Sequence, residues 1–352
     1  MHRDQEEIIL AIEQRRESLA RDVAARQYQL QPELSSRYVE SGRSKCLQDV
    51  NYHLLYLIEA ISASSPVLFA DYVGWAKLLL SSLNISENDL KINLQCLRET
   101  IKKGLSQQAQ SIVDECIEAG LKQLALPAES SSFIEEDAPL FALARDYLQA
   151  LLQGDRHAAG QLVLAEVQRG TSIKEIYLHV FEPSQHEIGR LWQTNKISVA
   201  QEHYCSAATQ LIMSQLYPYV FSGERIGRRL IASCVGGELH EIGVRMVSDF
   251  FEMEGWDTYY LGANTPTESI LRSIEEREAD ALAFSATMTF HVGKISQLIQ
   301  NIRSSEVGKE IKILVGGYPF NISRNLWRQV GANGSAINAQ LAVSEANRLL
   351  AG

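Results

Sequence analysis

The sequence has little of what marks a membrane, zinc or nucleic-acid-binding protein. No apolar run approaches the roughly 18 residues of a membrane-spanning helix, and the polar start lacks the apolar segment of a secretion signal. The five cysteines are widely spaced, which predicts reduced thiols in a cytoplasmic protein rather than disulfides or a zinc site. With 33 Lys and Arg against 43 Asp and Glu, the net charge is −10. This charge argues against direct DNA binding, which depends on neutralising phosphates.

The remaining composition is that of a globular chain with more than one domain. Of the 352 residues, 45% are hydrophobic and 22% are charged, enough for two or three packed cores. Residues 1–125 show helical periodicity and predict four or five helices, residues 126–138 form a polar linker, and residues 139–222 are helical again. Residues 228–352 alternate short apolar runs with helices, as in a parallel sheet. The predicted fold class is therefore α plus α/β: an all-helical domain, a four-helix bundle and a flavodoxin-like, Rossmann-like sheet of five strands.

A loop with an exposed histidine follows the first predicted strand of this sheet. The apolar run Leu230–Val235 leads into Gly-Gly-Glu-Leu-His-Glu-Ile-Gly, residues 236–243, and a helical pattern follows. Ligands of open α/β sheets bind at the carboxyl ends of the strands. No Gly-x-Gly-x-x-Gly occurs in this first turn, so a dinucleotide cofactor is not indicated. His240 is predicted to face a ligand of another kind.

Two further strands end in residues that complete a pattern. Ser285-Ala286-Thr287 ends one apolar run and Gly316-Gly317 ends the next; 41 residues lie between Gly243 and Ser285, and 28 between Thr287 and Gly316. This arrangement resembles the cobalamin-binding domain, whose pattern is an acidic residue-x-His-x-x-Gly, then Ser-x-Leu, then Gly-Gly. The chain departs from the commonest form in having Glu238 instead of Asp and Thr287 instead of Leu.

The resemblance implies a role for each of these residues. His240 would replace the dimethylbenzimidazole base as lower axial ligand of cobalt, a metal for which imidazole is a suitable ligand. Glu238 would orient the imidazole ring. Gly243 belongs to the same motif, and Ser285, Thr287, Gly316 and Gly317 would line the slot for the displaced nucleotide tail.

The helices at 139–222 stand where this family has a cap over the upper face of the corrin ring. In them, Trp192 is followed after nine residues by Glu202-His203. The spacing resembles the Trp-x9-Glu-His signature of the CarH-like adenosylcobalamin photoreceptors. The resemblance implies that Trp192, Glu202 and His203 line the space over the upper axial ligand. Taken singly, Trp192 could equally be a core residue, and Glu202-His203 an exposed helix pair.

These resemblances predict a non-enzymatic, cobalamin-dependent light sensor in the cytoplasm. Light would break the cobalt–carbon bond of adenosylcobalamin, and the cap would then repack and signal to an unknown output protein. An alternative is a corrinoid protein that carries a methyl group between methyltransferases, and a third is a sensor of cobalamin binding alone. A homo-oligomer is expected, without direct DNA or membrane contact.

The first helical domain holds no catalytic constellation. Tyr52, His53, Tyr56 and the stretch Tyr72–Trp75 form an aromatic-rich set. The ordinary interpretation is a helix interface, because aromatic residues at helical spacing usually form core. The alternative is a cavity for a second chromophore: photocobilins, which are light-sensing relatives, also bind a bilin, so biliverdin is a secondary prediction.

Overall fold

A computed structural model describes residues 3–38, 41–127, 131–221 and 223–351. The chain divides into two compact units, Met1–Glu129 and Ser130–Gly352. Residues 128–130 of the predicted linker and residue 222 at the end of the predicted bundle lie outside the described residues. Within the described ranges, no helix is both long enough and apolar enough to cross a bilayer.

The first unit is entirely helical over its described residues. Its helices begin at recognisable signals, such as the capping box of Ser86 and Asp89 and the proline at the start of the fifth helix. The short helix Leu34–Arg37 and the separate first two helices bring the count above the four or five predicted. The helices are α1 Arg3–Glu13, α2 Arg16–Leu30, α3 Leu34–Arg37, α4 Ser41–Ser62, α5 Pro66–Ser82, α6 Glu87–Ile101 and α7 Gln107–Leu124.

Helices also form the first part of the second unit. They are α8 Phe141–Leu152, α9 Arg156–Gln168, α10 Ile173–Ile176, a π-helical turn Tyr177–Phe181, α11 Glu182–Gln193, α12 Val199–Gln215 and α13 Tyr217–Val220. We refer to α8–α13 as the cap. Helix α10, the π-turn and α11 run on without a break, so the helix continues through Pro183. Proline has no N–H to donate, and the wider turn lets the Glu182 amide bond the Tyr177 carbonyl five residues back.

The rest of the second unit is a parallel five-stranded sheet with helices, which confirms the predicted fold class. The strand order β2-β1-β3-β4-β5 is that of flavodoxin-like folds. The strands are β1 Arg229–Val235, β2 Asp257–Thr265, β3 Ala281–Ser285, β4 Lys312–Gly316 and β5 Gly334–Ser335. The helices are α14 Ile242–Met253, α15 Thr267–Arg277, α16 Val292–Ser304, α17 Tyr318–Ile322, α18 Leu326–Gln329 and α19 Ala339–Ala351, with a 3₁₀ turn at Thr289–His291.

One continuous core joins the cap to the sheet within the second unit. Apolar side chains of α8–α13, β1, β3 and α14 belong to the same buried cluster. At its centre Tyr177 packs against Phe250, with ring centroids 6.1 Å apart, and donates a hydrogen bond of 2.8 Å to Asp249. This shared core fixes the cap against α14, the helix that follows the loop at residues 236–241.

Candidate functional site

His240 stands on the loop between β1 and α14 with its ring held from one side. Its Nδ1 lies 2.6 Å from Glu238 Oε1, and 57% of its side chain is exposed. Since an ionised carboxylate only accepts hydrogen bonds, Nδ1 carries a proton, and in the neutral ring the free lone pair is therefore on Nε2. The hydrogen bond to Glu238, opposed in part by burial, raises the pKa of His240. The loop therefore offers an imidazole nitrogen that can ligate a metal.

Glu238 is a buried carboxylate with hydrogen-bond donors on both oxygens. Oε1 accepts from the backbone N–H of His240 at 3.1 Å as well as from its ring, and Oε2 accepts from the amides of Thr287 at 2.8 Å and Met288 at 3.0 Å. Burial disfavours its charge, but bonds from His240, His291 and the Met288 amide outweigh burial and lower the pKa of Glu238. Glu238 is fixed in one orientation and stays ionised.

The sequence did not point to His291, which also binds Glu238. Its Nδ1 lies 3.0 Å from Glu238 Oε2, and its side chain is 5% exposed. His291 closes the 3₁₀ turn after β3, six residues beyond Ser285. The signal that the sequence offered was a histidine just after a strand whose end carries part of the motif. His291 itself belongs to no part of the motif.

The remaining sheet residues of the motif meet at the carboxyl ends of neighbouring strands. Ser285 at the end of β3 pairs in register with Gly316 of β4. Gly317 has φ +97°, and a Cβ there would lie 2.1 Å from the Ala286 carbonyl oxygen, so only glycine fits. A Cβ added at Gly243 would meet no atom within 4 Å, so open space adjoins the first turn of α14. Thr287 contributes its amide to Glu238.

The three predicted cap residues lie near the facing ends of α11 and α12. Trp192 is half-buried, Glu202 is 27% exposed along its side chain, and His203 is 73% exposed. His203 Nδ1 lies 2.5 Å from Glu202 Oε2, and Ser206 donates a 2.9 Å bond to Glu202 Oε1. The Glu202 charge is also close enough to help raise the pKa of His240, after the larger effect of Glu238.

A second link ties the loop to the cap. Glu241, next to His240, accepts bonds from Gln210 of α12 at 3.1 Å, from the Tyr260 hydroxyl at 2.8 Å and from the Ala263 amide at 2.9 Å. Arg245, one turn along α14, donates to the Gln210 carbonyl at 3.1 Å. The loop that presents His240 is therefore bonded directly to the helix that carries Glu202 and His203.

Known proteins match the second unit in both of its parts. A B12-binding domain model matches residues 228–344, and a second B12-binding domain model matches residues 143–217. Both parts of the second unit are thus similar to cobalamin-binding domains. A corrinoid protein from Desulfitobacterium hafniense is 24% identical over 217 residues, which are 60% of this chain and 99% of that protein. The dimethylamine corrinoid protein of Methanosarcina barkeri is 29% identical over 140 residues, 40% of this chain and 64% of that protein.

A solved structure agrees with the fold of the second unit. The monomethylamine corrinoid protein of Methanosarcina barkeri matches with a TM-score of 0.53 at 19% identity, over 61% of this chain and all of that one. At this identity the match concerns the fold alone. The two domain models support cobalamin, a corrinoid, as the cofactor class. The adenosyl form, biliverdin, the light response and the cytoplasmic location stay predictions.

Three members of the aromatic set of the first unit, His53, Tyr56 and Tyr72, are buried, whereas Tyr52 is exposed. His53 and Tyr72 are buried, with His53 Nδ1 2.7 Å from the Tyr72 hydroxyl. Tyr56 stacks on Tyr72 with ring centroids 3.8 Å apart. These side chains fill the space between α4 and α5 with one another, which favours the helix-interface interpretation.

Proposed function

We propose that this protein holds cobalamin with His240 Nε2 on cobalt and the cap over the opposite face of the corrin ring. The observation that carries the proposal is the pairing of an exposed imidazole with a fully buried, ionised carboxylate: Glu238 fixes the ring through Nδ1 and leaves Nε2 to a metal. Such a carboxylate–histidine pair both orients the ring and makes it a better donor.

The site residues fit a corrinoid. His240 supplies one nitrogen, which suffices for a cobalt ion already held by the four nitrogens of the macrocycle. The open space beside Gly243 leaves room at the strand ends for a displaced nucleotide tail. When bound, the corrinoid supplies a cobalt ion on which an alkyl group can be carried or released. Trp192, Glu202 and His203 would border that upper position.

We propose carriage of a methyl group for a methyltransferase partner as the use of this site. The support is the similarity to corrinoid proteins, two of which are named for methylated amines. The similarity to the Desulfitobacterium protein extends over 99% of that protein's length. That similarity runs through both the cap and the sheet, the two parts that a carrier needs. In this use, cobalt must be reachable by a methyl donor in the dark. Methyl iodide should therefore convert the reduced, cobalamin-loaded protein to its methylcobalamin form.

Light sensing through adenosylcobalamin is the second candidate. The observation that favours it is the Trp192–Glu202–His203 set, in which Glu202 bonds His203 and its charge helps to raise the pKa of His240. An aromatic ring and a Glu–His pair over the upper ligand suit a protein that encloses a bulky adenosyl group and rearranges when it leaves. In this use, green light should change the absorption spectrum of the adenosylcobalamin-loaded protein.

The cobalt ligation itself is tested by electron paramagnetic resonance of the full-length protein loaded with Co(II) cobalamin. A coordinated ¹⁴N splits each cobalt line into a triplet, whereas ¹⁵N splits it into a doublet. Labelling the protein histidines with ¹⁵N should convert the triplet to a doublet, because the ligand then comes from the protein. His240→Ala should abolish this conversion, and His157→Ala, at an exposed position on α9, should not. A splitting that ignores the label in the wild type would refute His240 ligation.

A further inference from the structure

We propose that His291 is a second positioning residue for the cobalt ligand, acting through Glu238. The inference rests on the proposed ligation by His240 and adds a residue outside the motif. Glu238 divides its two oxygens between two tasks. Oε1 holds the backbone and ring of His240, and Oε2 holds the Thr287 and Met288 amides and His291 Nδ1.

His291 is itself rigidly placed. Its amide bonds the Met288 carbonyl at 2.9 Å in the 3₁₀ turn, and its ring meets Phe290 edge-on with centroids 4.6 Å apart. It is buried, so its orientation is set by packing rather than by solvent. A side chain fixed in this way acts as an anchor for the carboxylate that it binds.

The same turn region holds the loop from a second direction. Lys294, in the first turn of α16, donates a 2.8 Å bond to the Gly236 carbonyl. A Cβ built on Gly237 would lie 2.8 Å from Lys294 Nζ and 3.4 Å from His291 Nε2, so His291 and Lys294 pack directly against the loop. The segment after β3 therefore supports the loop after β1 in two ways: Lys294 bonds the loop backbone, and His291 bonds Glu238.

The side-chain bond from His291 differs in kind from the two amide bonds to the same oxygen. The Thr287 and Met288 amides come from the backbone and are present whatever the side chains are. The His291 bond can be removed by substitution, and without it the carboxylate keeps only the amides on Oε2 and can rotate. A misoriented second-shell partner typically weakens metal binding about 10- to 100-fold. His291 is thus the side chain that sets how firmly Glu238 aims His240.

The experiment compares two substitutions of His291 in the full-length protein loaded with Co(II) cobalamin. His291→Leu fills the space but donates no hydrogen bond, whereas the amide of His291→Asn can take the place of Nδ1–H. The ¹⁵N-histidine splitting reports the fraction of cobalt bound by the protein imidazole. We expect His291→Leu to lower the ratio of bound to unbound imidazole at least about 10-fold, and His291→Asn to restore most of it. His157→Leu, at an exposed position on α9, is the matched control.

The outcomes separate this inference from the one beneath it. If the wild type shows no protein nitrogen on cobalt, the ligation by His240 fails first. If the wild type shows it and His291→Leu matches the wild type, the role of His291 is wrong while the ligation stands. If the Leu variant unfolds, as circular dichroism would reveal, the comparison of His291→Asn with His291→Gln decides. The Asn amide takes the place of Nδ1, whereas the Gln amide reaches the place of Nε2. A positioning role therefore requires a larger fraction of cobalt bound by the protein imidazole in the Asn variant than in the Gln variant. Equal signals from these two variants would contradict it.

Discussion

Two Glu–His pairs of the second unit differ in how firmly their carboxylates are held. The Glu238–His240 pair has a carboxylate with no exposed surface and donors on both oxygens. The Glu202–His203 pair has a carboxylate that is 27% exposed and accepts one further bond, from Ser206. Both pairs share a short Nδ1–carboxylate contact, so the environment sets their difference. The loop pair suits a permanent ligand, and the cap pair suits contacts that change when the upper position changes.

The largest expected effect comes from removing the charge of each carboxylate. Glu238→Gln should destabilise the second unit by about 3 kcal/mol. Hydrogen-bond donors surround both oxygens of the Glu238 carboxylate, but a carboxamide has only one oxygen to accept from them, and its NH₂ group would face backbone N–H groups. Glu202→Gln, the matched change in the cap, should cost less than about 1 kcal/mol.

The measurement is urea unfolding of the cofactor-free protein in a Trp75→Phe background. Of the four tryptophans, Trp192, Trp256 and Trp327 then remain, and all three lie in the second unit, so fluorescence follows that unit alone. Equal losses from the two Gln variants would show that the burial of Glu238 does not distinguish the pairs.

A third carboxylate sharpens the comparison, because it is buried without comparable donors. Asp249 accepts a bond from the Tyr177 hydroxyl at 2.8 Å, and burial raises its pKa to about 6 despite that bond and the charge of Arg245. The folded state therefore binds a proton more tightly than the unfolded chain, whose aspartate titrates near 3.8. The contribution of Asp249 to stability is most favourable below that value and is lost as pH rises to about 6 and beyond.

Asp249→Asn should remove this pH dependence. The variant should gain stability over the wild type as pH rises from about 4 to about 7, by about 2 kcal/mol in all. Urea unfolding across that pH range measures the difference, with Asp257→Asn at an exposed position as control. A difference between variant and wild type that stays constant over pH would contradict the raised pKa of Asp249.

The strand ends were predictable from sequence, and the contacts between them were not. The apolar runs before Gly236, Ser285 and Gly316 have the length and flanking residues of buried strands, and the structure confirms strands there. The contact of His291 with Glu238 joins residues 53 positions apart, and the Gln210–Glu241 bond joins residues 31 apart. Such pairings depend on how the chain returns to the sheet edge, which no local pattern encodes.

The smallest expected effect concerns the cap pair and bears on the second candidate function. In the CarH-like photoreceptors that the Trp-x9-Glu-His spacing resembles, a histidine directly after the tryptophan binds cobalt once the adenosyl group has left. In this chain Gln193 occupies that place and is 8% exposed. A carboxamide is a weak cobalt ligand compared with imidazole, whereas His203 is exposed and held only by Glu202. We therefore predict that the illuminated state carries water or His203 on cobalt and reverts in the dark faster than the illuminated state of the Gln193→His variant.

The measurement is the absorption spectrum of adenosylcobalamin-loaded protein after green light, followed through dark recovery. His203→Ala should shift the illuminated spectrum if His203 ligates and leave it unchanged if water does, while Gln193→His should slow recovery. Absence of any photolysis, or recovery rates unaffected by both substitutions, would remove the light-sensing candidate and leave the group carrier. That outcome would assign the loosely held pair on the cap to admitting a methyl donor instead of enclosing an adenosyl group.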